Sequence, residues 1–466
     1  AAEGPLLLVL EDAHWLDALS HELLETLVRV SAALPVCFVL AYRPPHNLQA
    51  VHVDGLAENQ EHFTRITLSQ LTTHETEGLI RAKLGQLFPE RMGALPQALV
   101  SELNARAEGN PFYIEELLNY LHDRDISPYD GDALKLLDLP SSLHALILSR
   151  MDRLSESQQI ILKSASIIGR TFRVNWLHGY YPALGAAEQV KADLEELSQL
   201  DLTPLDSLEP ELAYLFKHII TREVAYESLP YATRARLHAQ LAQYVEATVS
   251  AVSGLGSESM GTERYLDLLA FHYGLSGNTD KKREYFRKAG EAAQETFANQ
   301  AALAYYDHLL PLLTTLGDQM SIHARRGAVY ELLGQYAEAE AAQRAVLELA
   351  EAAGDRAAAA DAQLALGKIC RLRGEYAAAL DWLRQAQAGW AALEKPAGLG
   401  QALSELGAVY WRQGEYARAA RYLEEALIWA QQACDRHIQA LVLKEAGNVA
   451  YLSSDYAWDD QTMEEV

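Results

Sequence analysis

The sequence predicts an α/β segment at the N-terminus, followed by a mostly helical chain that ends in an α-solenoid. Three observations lead there. Short apolar runs alternate with an amphipathic stretch over residues 1 to about 66. From Leu71 onward the apolar spacing turns helical. The last third of the chain repeats itself every 40 residues.

Taken in order, residues 6–10 (LLLVL) read as a buried parallel strand, because an unbroken apolar run suits a strand covered on both faces. Residues 18–33 read as an amphipathic helix with Leu19, Leu23, Leu24, Leu27 and Val30 on one stripe. Residues 36–42 read as a second buried strand, and residues 63–68 (FTRITL) as a candidate third. Thr72 with Glu75 forms a capping box that starts a helix. A further helix is expected over residues 96–108. Gly109 then suits a left-handed cap, Asn110 an N-cap and Pro111 the first helical position, a tight joint between two helices. Residues 123–132 (DRDISPYDGD) are polar and turn-rich and read as a linker. Two helices, a third at residues 186–200, and a hairpin around residues 206–210 follow, the order of a winged helix. Helices broken at residues 253–261 and 276–280 continue to about residue 316.

The repeat is carried by three columns of residues spaced by 40. They are Gly327, Gly367, Gly407 and Gly447; Gly334, Gly374, Gly414 and Ser454; and Tyr336, Tyr376, Tyr416 and Tyr456. Each unit is two helices around a Gly-x-Tyr turn. The first glycine of each unit lets its helix approach the partner, and Ala339, Ala379 and Ala419 do the same from the other side. The pattern resembles tetratricopeptide repeats lengthened from about 34 residues. Asp459 stands where the fourth unit should have a small residue, which reads as a cap or an interrupted repeat.

Bulk properties bound the function. The 466 residues suit two to four domains, and 49% hydrophobic content is enough to build their cores. A first residue of Ala suggests a piece of a longer protein. No apolar run nears the ~20 residues that cross a bilayer, so no membrane segment is expected. Three cysteines, Cys37, Cys370 and Cys434, lie far apart, as reduced buried thiols of a cytoplasmic protein do. With 39 basic against 64 acidic residues the net charge is −25, which repels phosphate backbones. The expected recognition helix of the winged module carries Glu188, Asp193, Glu195, Glu196 and Asp201 against Lys191, so no direct nucleic-acid contact is expected of this chain. No metal-spaced His/Cys cluster, G-x-S-x-G elbow or cysteine–histidine signature stands out.

The chemistry concentrates at LLLVLEDAHWLD. An apolar strand that delivers two acids at its C-terminal end is the Walker B arrangement. One carboxylate holds Mg²⁺, and its neighbour orients or activates water. A buried strand ending in a solvated acidic turn is the alternative, and His14-Trp15-Leu16-Asp17 tips the reading toward the first.

Together LLLVLEDAHWLD, VLAYRP, EGNPFYIEELL and FKHIITREVAYESLPYATRARLHAQLAQYVE resemble the STAND class of AAA+-related regulatory ATPases. More closely, they resemble the ATPase modules found in bacteria beside adenylate cyclase, protein kinase or LuxR-type DNA-binding domains. The resemblance covers residues 1 to about 320. It implies the C-terminal part of a P-loop NTPase α/β core (1–68), a helical lid (69–125), a winged-helix module (126–235), a helical linker (236–320) and the TPR-like repeats (321–466). It implies ATP or ADP with Mg²⁺ as cofactors, and Glu11 and Asp12 as the Walker B acids. Arg43 would be the sensor arginine that reads the terminal phosphate, and Pro111, beside Asn110, would pack on the adenine. His218 would contact the β-phosphate of ADP, although Ile219 follows it where some relatives have an aspartate. The plainer readings are a solvated arginine, helix capping and a core histidine.

No G-x-x-x-x-G-K-[ST] phosphate loop occurs in the sequence; the one Gly-Lys pair, Gly367-Lys368, lies in a repeat helix. The chain alone is therefore expected not to hydrolyse ATP appreciably. Two functions follow as expectations. One is a nucleotide-switched signalling regulator whose repeats bind a protein or a small inducer and which self-associates in its ATP state. The other is a non-enzymatic repeat scaffold with a vestigial ATPase region.

Overall fold

The computed structural model describes residues 4–11, 13, 16, 18–43, 63–89, 95, 97–107, 109–130, 142–209, 211–253 and 265–453. The chain divides into two compact units, residues 1–278 and 279–466. The described residues are mostly helical.

The first unit opens with strand β1 (Leu6–Leu10), helix α1 (Ala18–Val30) and strand β2 (Val36–Leu40). The strands run parallel, Leu6 opposite Val36 through Leu10 opposite Leu40. That is the strand–helix–strand connection which parallel pairing demands. The expected burial is not there: all of β1 is exposed, and of the α1 stripe Leu24 is buried whereas Leu23, Leu27 and Val30 are exposed. An all-apolar parallel strand needs a layer on each face, and among the described residues one strand with one helix does not provide two layers. Residues 63–68 take no strand conformation and leave Ile66 and Leu68 in solvent, because no neighbouring strand pairs with them among the described residues.

Helices α2 (Thr73–Leu87), α3 (Gln97–Ala107) and α4 (Pro111–Asp123) then form a helical cluster. The capping box of Thr72 and Glu75 is formed, and Asn110 caps α4 by accepting from the Phe112 amide at 3.0 Å. Gly109 takes φ +73, and a Cβ there would meet the Leu71 backbone at 2.8 Å, so this joint needs glycine both for its torsion and for its clearance. Ile80, Leu84, Leu103, Ile114, Leu117 and Leu121 build the core, closed by Leu146 of α5 (Leu143–Met151).

Next come α6 (Glu156–Ile168), strand β3 (Thr171–Arg173), α7 (Val174–Tyr180), α8 (Ala187–Gln199) and the hairpin of β4 (Leu205–Ser207) and β5 (Ala213–Leu215). The hairpin forms where the sequence reads one, but β4 takes in Asp206 and Ser207, which the sequence assigns to the turn. Strand β3, which three residues of apolar periodicity could not announce, pairs with β5 and completes a sheet of order β3-β5-β4. The acidic helix α8 turns part of its charge inward. Asp193 is buried and accepts from Ser157 at 2.5 Å, and Glu196 accepts from Gln158 at 2.7 Å. Helices α9 (Ile219–Glu227), α10 (Tyr231–Ser253) and α11 (Leu266–Leu275) end the unit.

The second unit is helical among its described residues. It runs from α12 (Thr279–Glu295) and α13 (Asn299–Leu309) through three helical pairs: α14 (Leu316–Leu332) with α15 (Tyr336–Ala353), α16 (Arg356–Leu372) with α17 (Tyr376–Ala392), and α18 (Pro396–Arg412) with α19 (Tyr416–Gln432). Helix α20 (Arg436–Ser453) opens the fourth. Gly334, Gly374 and Gly414 all lie at positive φ in the turns. A Cβ on Gly367 or Gly407 would press into Leu383 or Leu423 of the partner helix, at 2.5 and 2.7 Å. Ala379 and Ala419 are fully buried, as the period requires. Asp459 lies outside the described residues. Of the cysteines, Cys370 is buried while Cys37 and Cys434 are exposed, and all three are free; the expectation of three buried thiols holds for one. Among the described residues no helix is long and apolar enough to cross a membrane, and no group of three or more His, Cys, Asp or Glu side chains is placed to hold a metal.

Candidate functional site

The parallel ladder continues past the two strands. The Ala41 amide donates to the Leu10 carbonyl at 2.9 Å, and the Ala13 amide donates to the Ala41 carbonyl at 2.9 Å. Glu11 and Arg43 therefore leave the same edge of the strand pair, where parallel α/β sheets present functional loops. Both side chains are exposed. Asp12 lies outside the described residues.

Glu11 is engaged. The Arg170 guanidinium donates to its Oε2 through Nη1 at 2.5 Å, across 159 residues of sequence. Arg170 stands between Gly169, which ends α6, and strand β3. Its own carbonyl accepts from the Phe216 amide at 2.8 Å, beside β5. Sequence reading missed this residue. Its one local signal is a basic side chain between a capping glycine and a strand, and its partner is invisible without the fold.

Two residues beyond Phe216 stands His218, the residue preceding α9. Its ring meets Phe112 edge-on, with centroids 4.5 Å apart. Phe112 follows Asn110 and Pro111 directly, so the structure brings His218 to the helix joint that the sequence singles out. The imidazole Nε2 is buried without a hydrogen bond and lies 3.8 Å from Glu115 Oε2, too far for one. His218, then Lys217 at 3.6 Å, holds the Glu115 carboxyl below its usual range against the burial that would raise it. Asp201, in the left-handed region at φ +63, bridges Lys217 and Lys83; burial would raise its carboxyl, and the two ammonium groups outweigh it.

Behind this layer sits Arg150. It is buried and donates to Glu116 at 2.6 Å, to Asp123 at 2.7 Å and to the Leu200 carbonyl at 2.8 Å. It ties α4, α5 and the end of α8 together. Burial opposes its charge, but the two carboxylates win and hold the guanidinium more firmly protonated.

The groups here are an imidazole without a hydrogen-bond partner at Nε2, guanidinium groups and two ammonium groups, with an exposed carboxylate on the strand edge and a half-exposed aromatic ring. Cationic donors of this kind can meet anionic oxygens. They do not include a glycine-rich loop of backbone amides.

The tetratricopeptide-repeat family profile matches residues 318–391 and again 399–441. A domain of unknown function, DUF8739, matches residues 72–127, the span of α2 to α4. An uncharacterised protein of Rhizobium meliloti (strain 1021) is 24% identical over 338 residues, covering 71% of this chain and 30% of that protein. Adenylate cyclase type 10 of Rattus norvegicus is 24% identical over 281 residues, covering 50% of this chain and 17% of the cyclase. The chain thus spans less than a third of the length of these curated relatives. Among solved structures, a Signal Transduction ATPase with Numerous Domains with a tetratricopeptide repeat sensor, from Pyrococcus horikoshii, aligns over 98% of this chain and 67% of its own. The identity is 13% and the TM-score 0.36.

Proposed function

We propose that this chain is part of a nucleotide-switched signalling regulator whose tetratricopeptide repeats receive a protein or a small inducer. The observations that support this most are the Arg170–Glu11 ion pair, at the strand end beside which Arg43 also emerges, and the contact of His218 with Phe112. On this reading residues 1–68 are the C-terminal part of a P-loop NTPase core, 69–125 a lid, 126–235 a winged-helix module and 236–320 a linker before the repeats.

Glu11 and Asp12 would hold Mg²⁺, Arg43 the terminal phosphate, Pro111 with Asn110 the adenine side, and the free Nε2 of His218 an oxygen of the β-phosphate. ATP with Mg²⁺ would supply the phosphoanhydride whose presence or loss defines the two states. The chain's own part is to bind and to orient. Guanidinium groups meet phosphate charge, the imidazole completes its hydrogen bonding, and the lid–sheet charge layer holds the modules in register. The repeats offer a surface for recognition, and self-association would follow in the ATP state. We assign no nucleic-acid contact to this chain, because its one expected reading helix is acidic and partly turned inward.

The test begins with the gene. A G-x-x-x-x-G-K-[ST] motif encoded within about 100 residues upstream of Glu11, a distance set by domain size, is required by this reading. The corresponding protein is then titrated with ATP and ADP. Asp12→Ala, Arg43→Ala and His218→Ala should each weaken binding, with His218→Ala weakening ADP more than ATP. Equal affinity in all three variants would remove the site. A repeat scaffold with a vestigial ATPase region would then be the better account.

A further inference from the structure

We propose that Arg170 is a positioning residue of this same site, holding Glu11 in a closed state that a divalent cation must displace. The inference rests on the nucleotide reading above. Arg170 Nη1 lies 2.5 Å from Glu11 Oε2, on the carboxylate that would take a metal ion. One carboxylate oxygen cannot serve a guanidinium and a cation equally, so the two compete for it. Arg170 is anchored from behind, since its carbonyl binds the Phe216 amide and Thr171 pairs with Leu215. Its backbone thus lies beside the strand that runs to Lys217 and His218.

The pair is weak enough to be displaced. Its side chains are 43% and 59% exposed, and surface pairs of that kind contribute little and are screened by salt. Yet it links the strand edge to the three-stranded sheet. Its loss on cation arrival loosens the tie between strand edge and sheet by no more than the small free energy of the pair itself, and the coupling is reciprocal.

The experiment uses the full-length gene product with a fluorescent ADP analogue, titrated in Mg²⁺ and in EDTA. Wild type, Arg170→Ala, Arg170→Lys and Glu11→Gln are compared. Relief of competition should tighten Mg²⁺-dependent binding about threefold to fivefold in Arg170→Ala, the size of a surface pair. Arg170→Lys should lie between, and affinity in EDTA should not change. Hydrogen exchange gives a second readout. The amides of β3 should exchange about threefold to fivefold faster when wild type takes up Mg²⁺–ADP, and should already do so in Arg170→Ala without nucleotide. Circular dichroism shows whether each variant is folded, and Arg170→Lys carries the comparison if the alanine variant is not. Mg²⁺-dependent affinity that falls in Glu11→Gln but stays within error of wild type in both Arg170 variants would overturn the role of Arg170 alone. No difference between Mg²⁺ and EDTA in any protein would overturn the nucleotide reading, and the inference with it.

Discussion

Arg150 shows what one buried side chain can decide. Its guanidinium serves Glu116, Asp123 and a carbonyl from a chain segment 50 residues away. Removing it strands Glu116, itself buried, with an uncompensated charge. Arg150→Met should therefore cost about 3–5 kcal/mol in chemical denaturation, and Arg150→Met/Glu116→Gln should recover part of that loss. A loss below 1 kcal/mol would mean that the network is dispensable. His238 and His272 form a second such point. Their Nδ1 atoms lie 2.8 Å apart, and the Tyr226 hydroxyl is 3.1 Å from His238 Nε2. A hydrogen bond between two Nδ1 atoms needs one donor and one acceptor, so the rings cannot both be protonated and keep it. Burial, then Arg222 and Arg234, pushes His238 down to about 4; burial, then His238 and Arg222, pushes His272 down to about 3. The unfolded chain takes up these protons near pH 6.5 and the folded chain does not. Stability from the pair is therefore complete above about 6.5 and is lost as pH falls from there toward the folded values. By pH 5 the loss should reach about 2 kcal/mol per imidazole. Urea midpoints from pH 7.5 to 5 should show the slope, and His272→Gln should flatten it.

At the scale of elements, two glycines with opposite surroundings separate packing from propensity. Gly407 lies in α18 where a Cβ would meet Leu423 at 2.7 and 2.9 Å. Gly407→Ala should destabilise the repeats by about 1–3 kcal/mol through overpacking. Gly78 lies within α2 with nothing inside 4 Å of the same added atom. Gly78→Ala should stabilise by about 0.5–1 kcal/mol, because alanine frees the helix of glycine's entropy cost. Thermal melts of both variants decide, and the same sign for both would contradict the packing assigned to the repeat glycine. The joints between repeats are also electrostatic. Lys368 meets Glu331 at 2.6 Å, Arg371 meets Glu405 at 2.7 Å, and the Trp411 indole donates to Glu445 at 2.8 Å. Each links the first helix of one unit to the first helix of the next.

For the whole molecule, the division at residue 278 makes a direct prediction. Residues 279–466 expressed alone should give a helical circular dichroism spectrum and a cooperative melt, because each repeat is stabilised by its neighbours. A fragment without cooperative unfolding would show that the repeats depend on the first unit. The charge of −25 makes another. Electrophoretic mobility of duplex DNA at 150 mM salt should be unchanged by the chain, and a shift that weakens steeply with salt would reveal a basic surface that the composition conceals.

What the sequence by itself determined is local or periodic. The Thr72–Glu75 box, the Gly109-Asn110-Pro111 joint and the 40-residue columns are each set by neighbours in sequence or by a fixed period. The structure forms the box and the joint, and carries the period through three helical pairs; an added Cβ on Gly447 meets nothing within 4 Å, and Ser454 and Tyr456 lie outside the described residues. What only the tertiary structure decided depends on partners distant in the chain. Strand β3 exists because β5 pairs with it, and residues 63–68 form no strand because none pairs with them among the described residues. The same holds for Arg170 on Glu11 and for His218 beside Phe112 and Glu115. A hydrogen bond across 159 residues leaves no trace in local composition, because the free energy that selects it belongs to the assembled unit and not to either segment.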